Sequence, residues 1–350
     1  MLQVIFSGIF LVIPIAYLFL ITTIKREQNG IVNFNLWGGL IILLVYSLVF
    51  PFVDSYDKPI YLEYYENAET IYSDYNRELL WGKLQLFLSS IFFNNELLYW
   101  FFYSVFYCVA YFFVAKKFFP YQYAGYFVLC VVACMGFVAY GSNTIRAGFG
   151  IALLLEAFCS DNRFVKILLA VASVGCHMSM LLPVVSYLFA VYILKRERWC
   201  EIGWVLFLII TSMTSVISDI MSVLGSFDAR ADDFADTDGT HEIYNVGFRF
   251  DFLIYSVVPI IFTKYNLFHM VVESKVYSLV YRLYLLNNAA WLLMIRMQYT
   301  DRVAYLSWFL IPFLLLYPVL NGLLRTKHPQ RYILRSIFVF LFVNIVLALK

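Results

Sequence analysis

The sequence predicts an all-α, polytopic integral membrane protein with about twelve transmembrane helices and two larger loops on the outer side, on three observations. Of the 350 residues, 63% are apolar and 14% charged, against roughly 45–50% and 25% in soluble domains. Many apolar runs are long enough to cross a bilayer, at about 17–25 residues each. Basic residues gather in alternate connections between those runs, as positive-inside topology requires. The aromatic share of 20%, with Gly 16, Pro 9 and Cys 6, excludes disordered, collagen-like and disulfide-scaffold classes. A net charge of +2 argues against a nucleic-acid partner. No repeat, linker or low-complexity tract divides residues 1–350, so a single polytopic membrane domain is expected.

The first run, 2–24, lacks a basic n-region and a small-residue cleavage site before Lys25-Arg26, and reads as a retained span. A second span covers 36–53. The polar segment 54–95 follows, in which Leu79–Phe93 is apolar but short and reads as re-entrant or interfacial. Spans at 96–115 and 122–141 come next, then shorter candidates at 145–159, 164–176 and 178–194, and a span at 201–219. A second polar segment, 220–249, precedes 250–263, 276–295, 303–320 and 332–349. Fifteen basic residues lie in the connections that begin at Lys25, Lys116, Arg163, Lys195, Lys264 and Arg325; nine, including Lys58, Arg146, Arg249 and Arg302, lie in the alternate ones. That split places both termini and both long polar segments outside.

The stretch Phe164–Leu194 is 31 residues long, about 46 Å as helix, too long for one crossing of a ~30 Å core and too short for two full ones. Both its flanks are basic, so it should go out and return. The turn Gly175-Cys176-His177-Met178-Ser179 then sits at the apex of two short helices, inside protein or facing a water-filled cavity. The six cysteines lie in or beside apolar runs without a CxxC pair, and read as small packing residues.

Several outer residues could carry chemistry. Arg146 follows the capping signature Gly141-Ser142-Asn143-Thr144 and opens a Gly/Ala-rich helix, where a guanidinium beside helix N–H groups would hold a phosphate. Arg302 and Arg249 also stand at span openings; an anionic ligand would explain positive charge there. The plainer alternatives are a snorkelling Arg146 and local ion pairs of Arg302 with Asp301 and of Arg249 with Asp251. His177, placed inside an apolar region, is either a hydrogen-bonded core residue or a general base. The segment Asp54–Glu66, with Asp57 and Tyr61, mixes carboxylates and tyrosines suited to sugars, or forms an acidic surface loop. The acidic 220–248 loop fails the EF-hand template, and no metal site or cofactor is expected. No Walker loop, GxGxxG, GxSxG or HExxH occurs.

Taken in order, Asn143-Thr144-Ile145-Arg146-Ala147-Gly148-Phe149-Gly150-Ile151-Ala152, Ala170–Ser179 with His177, and Asp301-Arg302-Val303-Ala304-Tyr305 resemble the EpsG-like branch of bacterial polysaccharide polymerases, the Wzy O-antigen polymerases among them. That family's pattern is an Arg opening a Gly/Ala-rich helix, a Phe-His-x-Ser turn and a late Arg-x-x-x-Tyr, for which Asp301-Arg302-Val303-Ala304-Tyr305 stands here; Asp57-x-x-x-Tyr61 fits its early motif. Cys176 replaces the aromatic before the His, and Phe50-Pro51-Phe52-Val53 stands where a basic residue commonly precedes the Asp.

The resemblance implies a glycosyltransferase of the bacterial inner membrane. It would act on undecaprenyl-diphosphate-linked oligosaccharide at the periplasmic face, moving a growing glycan from its lipid carrier onto the next lipid-linked repeat unit. Arginines would neutralise the departing diphosphate without a metal, and His177 or Asp57 would be the base. Arg146, Arg249, Arg302, Tyr61 and Tyr305 are the expected substrate contacts. Membrane lipid, a chain-length regulator and a flippase are partners this role allows. A membrane O-acyltransferase, an O-antigen ligase and a lipid-linked glycan transporter are the alternatives.

Overall fold

The computed structural model describes residues 29–68, 78–213, 247–297, 299–325 and 329–348, with Pro14 and Ala16. The first span, the 220–246 part of the second outer segment and its acidic cluster lie outside the described residues. Among the described residues every regular element is helical; the single isolated bridge joins Met270 and Leu324. Among the described residues four helical stretches are long and apolar enough to cross a bilayer: Asn35–Phe52, Glu96–Phe118, Phe250–His269 and Thr300–Leu320.

The expected span at 122–141 is instead two pieces, Ala124–Val132 and Met135–Asn143, bent by 77°. Its chain turns extended at Cys134 (ψ 138). The bend turns Phe137 into a box of Tyr46, Phe50, Tyr107 and Tyr111, with ring centroids 5.5–5.8 Å away. Aromatic burial of this kind offsets the broken backbone ladder. Counting that pair as one span gives five. The 250–263 candidate is longer than its apolar run suggested, because the helix continues through Pro259 to His269.

In chain order the helices are α1 (Asn29–Val49), α2 (Lys58–Glu66), α3 (Leu79–Phe92), α4 (Glu96–Phe118), α5 (Ala124–Val132), α6 (Met135–Val138), α7 (Ile145–Cys159), α8 (Arg163–Cys176), α9 (Leu181–Leu188), α10 (Glu197–Met213), α11 (Phe250–His269), α12 (Lys275–Leu292), α13 (Thr300–Trp308), α14 (Ile311–Leu320) and α15 (Pro329–Ala348). Contacts divide them between two compact units. One comprises Met1–Leu181 with Val319–Gly322 and Thr326–Lys350; the other comprises Leu182–Pro318 with Leu323–Arg325.

In the first unit α7 packs against α4 and α8, and α1 against α4 and α5. The α7–α8 contact is close because α7 offers glycine: a Cβ on Gly150 would lie 3.4 Å from the Ser173 carbonyl of α8 and 2.7 Å from Met180 in the turn beyond it. The Ser173 hydroxyl donates to the Gly150 carbonyl at 2.6 Å. A π turn, Ala139–Asn143, leads into α7, and a Cβ on Gly148 would meet its Tyr140 carbonyl at 2.2 Å. Five of the six cysteines are buried and all are thiols, as packing residues should be.

In the second unit α12 packs against α10 and α13. Asn288 closes a buried polar network there: it accepts from Trp204 Nε1 at 2.8 Å and donates to the Ser256 and Ser307 hydroxyls, each at 3.0 Å. Arg282 is buried within α12 and donates to the carbonyls of Ala190 and Leu194, at 2.6 and 2.8 Å. Such satisfaction is obligatory where no water competes.

Gly148→Ala is expected to destabilise by about 1–3 kcal/mol, since the methyl must displace backbone rather than a flexible side chain. Gly203, in α10, has nothing within 4 Å of a built Cβ, so Gly203→Ala should be neutral or stabilise by up to about 1 kcal/mol. Thermal unfolding in detergent checks the order; equal melting of the two variants would show that the π turn yields freely.

Candidate active site

The centre of the first unit is a buried carboxylate. Glu78 immediately precedes α3, and its side chain does not cap that helix. It turns instead to two other elements. Oε2 accepts from Arg146 Nη1 at 2.6 Å. Oε1 lies 2.9 Å from His177 Nδ1 and accepts the Met178 backbone N–H at 3.1 Å. The Glu78 side chain is 6% exposed, while those of Arg146 and His177 are 22% and 25% exposed. The acid is sheltered and its two partners are each more exposed than it is.

Each partner is delivered by a break in helix. The helix α8 stops at Cys176, His177 is extended (φ −153, ψ 119) and a short 3-10 turn, Met178–Met180, restarts the chain. This is the break that the length of the Phe164–Leu194 stretch required. It leaves the Met178 N–H without a helical acceptor, and Glu78 supplies one. Arg146 stands in the first turn of α7, as expected, but the capping signature does not cap: Thr144 makes no side-chain bond to the helix start. Its hydroxyl donates back to the Ala139 carbonyl, because the preceding π turn presents that oxygen at 3.2 Å.

An aromatic cluster anchors α3 below the carboxylate. Glu78, Trp81 and Gln85 follow one face, at helical spacing. Trp81 is fully buried, with Tyr103 at 4.9 Å and Phe149 and Tyr61 each at 6.3 Å between ring centroids. Gln85 donates to the Tyr103 hydroxyl at 3.0 Å. Arg146 and Phe149 are three apart on α7, so the Glu78–Arg146 pair and the Trp81–Phe149 contact are successive rungs between the same two helices.

Burial by itself would raise the Glu78 carboxyl, but the His177 hydrogen bond, the Arg146 charge and the Met178 N–H outweigh it and hold the group at about 2. It is a carboxylate at any physiological pH.

The other expected residues are placed as follows. Asp57 is 7% exposed, immediately before α2. Its backbone N–H donates to Asn143 Oδ1 at 3.3 Å, and Ser55 donates to the Ser142 carbonyl at 3.0 Å, which ties this segment to the turn before Arg146. Tyr61 is buried in the aromatic cluster against Trp81.

Arg249, Arg302 and Tyr305 are in the second unit. Arg249 forms a two-point ion pair with Asp251, at 2.9 and 2.8 Å, and lies 3.6 Å from the Phe252 ring centroid. The Arg302 guanidinium lies 4.7 Å from the Tyr299 ring centroid. Asp301 and Arg302 stand in the first turn of α13, and Tyr305 follows one turn along the same helix. Among the described residues no group of three His, Cys, Asp or Glu side chains could hold a metal.

Glu78 is the residue that sequence reasoning missed. Its one signal was position: an acid directly before the short apolar Leu79–Phe93 stretch. A depressed carboxyl stabilises the fold above its ordinary 4.5, and that contribution is lost as pH falls through about 2. The melting difference between wild type and Glu78→Gln, of the order of 3 kcal/mol above pH 5, should therefore close on acidification toward pH 2. A difference constant with pH would show that the carboxylate charge contributes nothing.

The family model described as the EpsG family matches residues 40–350. No curated protein and no solved structure matches the chain.

Proposed function

From the premise that the chain belongs to the EpsG family, and at that level is a polysaccharide-polymerase-like membrane protein, we propose that it polymerises O-antigen or exopolysaccharide at the periplasmic face of a bacterial inner membrane. The donor is a growing glycan on undecaprenyl diphosphate and the acceptor is the next lipid-linked repeat unit. The observation that carries this reading is the meeting of Arg146 and His177 on one buried carboxylate. A guanidinium and an imidazole side by side answer the two demands of the reaction.

The acceptor hydroxyl attacks the anomeric carbon, and the bond from that carbon to the diphosphate breaks with its electron pair. His177 takes the hydroxyl proton. Arg146 stabilises charge on the departing diphosphate by charge-assisted hydrogen bonds, which need no metal. Asp57 is proposed as the alternative base, and Tyr61, Arg249, Arg302 and Tyr305 as substrate contacts. A chain-length regulator and a flippase are proposed partners.

The twelve-crossing topology with periplasmic 54–95 and 220–249 segments belongs to this proposal. Contacts between connections support it, since each joins two that the charge pattern puts on the same side. On the basic side Lys117 pairs with Asp161, Lys264 with Glu201, and the Arg325 N–H with the His269 carbonyl. On the opposite side Glu78 meets Arg146 and His177, and Asp57 meets Asn143. Single cysteines at Tyr56 and Lys195 test the assignment: the first should react with a membrane-impermeant maleimide in cells with a permeabilised outer membrane, and the second only after lysis. The reverse pattern would put the site in the cytoplasm and end the proposal.

Deleting the gene should reduce the surface-polysaccharide ladder to a single repeat unit, and Arg146→Ala should reproduce that loss at near-normal membrane abundance. One lost donor to the developing diphosphate costs about 3 kcal/mol, roughly 10²-fold in rate. Arg146→Lys should rescue poorly, since the planar fork is gone. A full ladder in the alanine variant would leave Arg146 as a partner of Glu78 alone. Transfer of acyl groups, or repeat units trapped on the cytoplasmic leaflet, would favour an O-acyltransferase or a transporter; a full-length glycan that is never attached would favour a ligase.

A further inference from the structure

We infer that Glu78 is the positioning residue of this site, setting the tautomer and basicity of His177 while holding Arg146 beside it. The inference rests on the reading of His177 as the base. It starts from which atoms meet. Glu78 Oε1 lies 2.9 Å from His177 Nδ1, and a carboxylate at that distance accepts only if Nδ1 carries the proton. Neutral His177 is then the Nδ1–H tautomer, with its lone pair on Nε2, and Nε2 takes the acceptor hydroxyl's proton. When it does, the imidazolium forms next to a negative charge and is stabilised by it. The proton moves from the hydroxyl oxygen to Nε2, the new glycosidic bond forms and the diphosphate bond breaks. Glu78 remains ionised throughout.

Three features suit Glu78 to position rather than to react. Its side chain is 6% exposed, far less than either partner. The same oxygen that faces Nδ1 accepts the Met178 N–H, which locks the backbone on the far side of His177. The carboxylate also stands at the head of a helix pinned by fully buried Trp81, and Leu80 of that helix packs on Gly175, where a built Cβ would lie 3.1 Å away. The α3–α8 distance, and hence the Glu78–His177 distance, is set by packing.

Among the described residues, the charged groups of this cluster include Glu78 before α3, which His177 meets directly, and Arg146 on α7, which meets the same carboxylate, with Cys176 the adjacent buried thiol. Arg146 and His177 share one carboxylate, so Arg146 moderates the charge that His177 feels.

The test measures polymerisation rate against pH with undecaprenyl-diphosphate-linked repeat units extracted from a strain deleted for this gene. Glu78→Gln keeps an acceptor oxygen but removes the charge. It should lower kcat about 10²-fold with little change in donor KM, and move the acid limb of the profile to lower pH by at least one unit. A lowered kcat with the limb unmoved would make Glu78 merely structural and overturn the inference, as would a wild-type profile. Glu78→Asp keeps the charge and withdraws it, and carries the test if the glutamine variant does not accumulate: a smaller shift in the same direction is expected, and an unmoved limb overturns the inference. His177→Gln separates the premise. If it polymerises normally, the base reading fails and the inference with it; if it is inactive while the Glu78→Gln limb stays put, only the positioning role falls.

Discussion

A carboxylate withdrawn from water must collect donors or take a proton, and the first unit is arranged around that requirement at Glu78. Three donors from two other elements converge on its two oxygens. Each is available because a helix has been interrupted or begun nearby. The α8 break at His177 releases a backbone N–H and swings an imidazole to one oxygen; the π turn before α7 starts that helix so that Arg146 falls on the other. Removing the carboxylate would take one acceptor from a guanidinium, an imidazole and a backbone N–H together, so the cost of its loss exceeds that of any one bond.

The same economy of interruption recurs through the protein. The 77° break at Cys134 delivers Phe137 to its aromatic box, and the π turn Phe189–Ile193, with Leu194 just after it, presents carbonyls to which buried Arg282 donates. In an apolar surround, irregular backbone survives only where side chains or other backbone satisfy it. His177 stands at one such break, whereas Arg282 and Asn288 lie inside α12 and are satisfied by neighbouring elements.

Chemically, the Glu78 arrangement joins two functions that glycosyl transfer from a diphosphate must perform near the same carbon. A cation meets the leaving group and a base meets the incoming hydroxyl, and one anion sets the position of both. In the second unit an acid–arginine contact is of a different kind, Arg249 paired at two points with Asp251 two residues on.

The amino-acid sequence alone determined the helical class, the membrane setting and the break at His177, because each follows from local quantities: apolar run length, charge alternation, and a 31-residue stretch that fits neither one crossing nor two. It also marked Arg146 and His177 individually. It did not reveal that they meet, because the residue joining them is 68 positions from one and 99 from the other, and an acid before a short apolar helix reads locally as ordinary. Nor could it show that Thr144 would abandon its capping role, which depends on the π turn formed just before it, or that 122–141 would bend, which depends on where the Tyr46, Phe50 and Tyr107 rings arrive from elsewhere in the chain. Run length and charge parity are properties of the chain; which donors a buried carboxylate collects is decided only when distant helices pack.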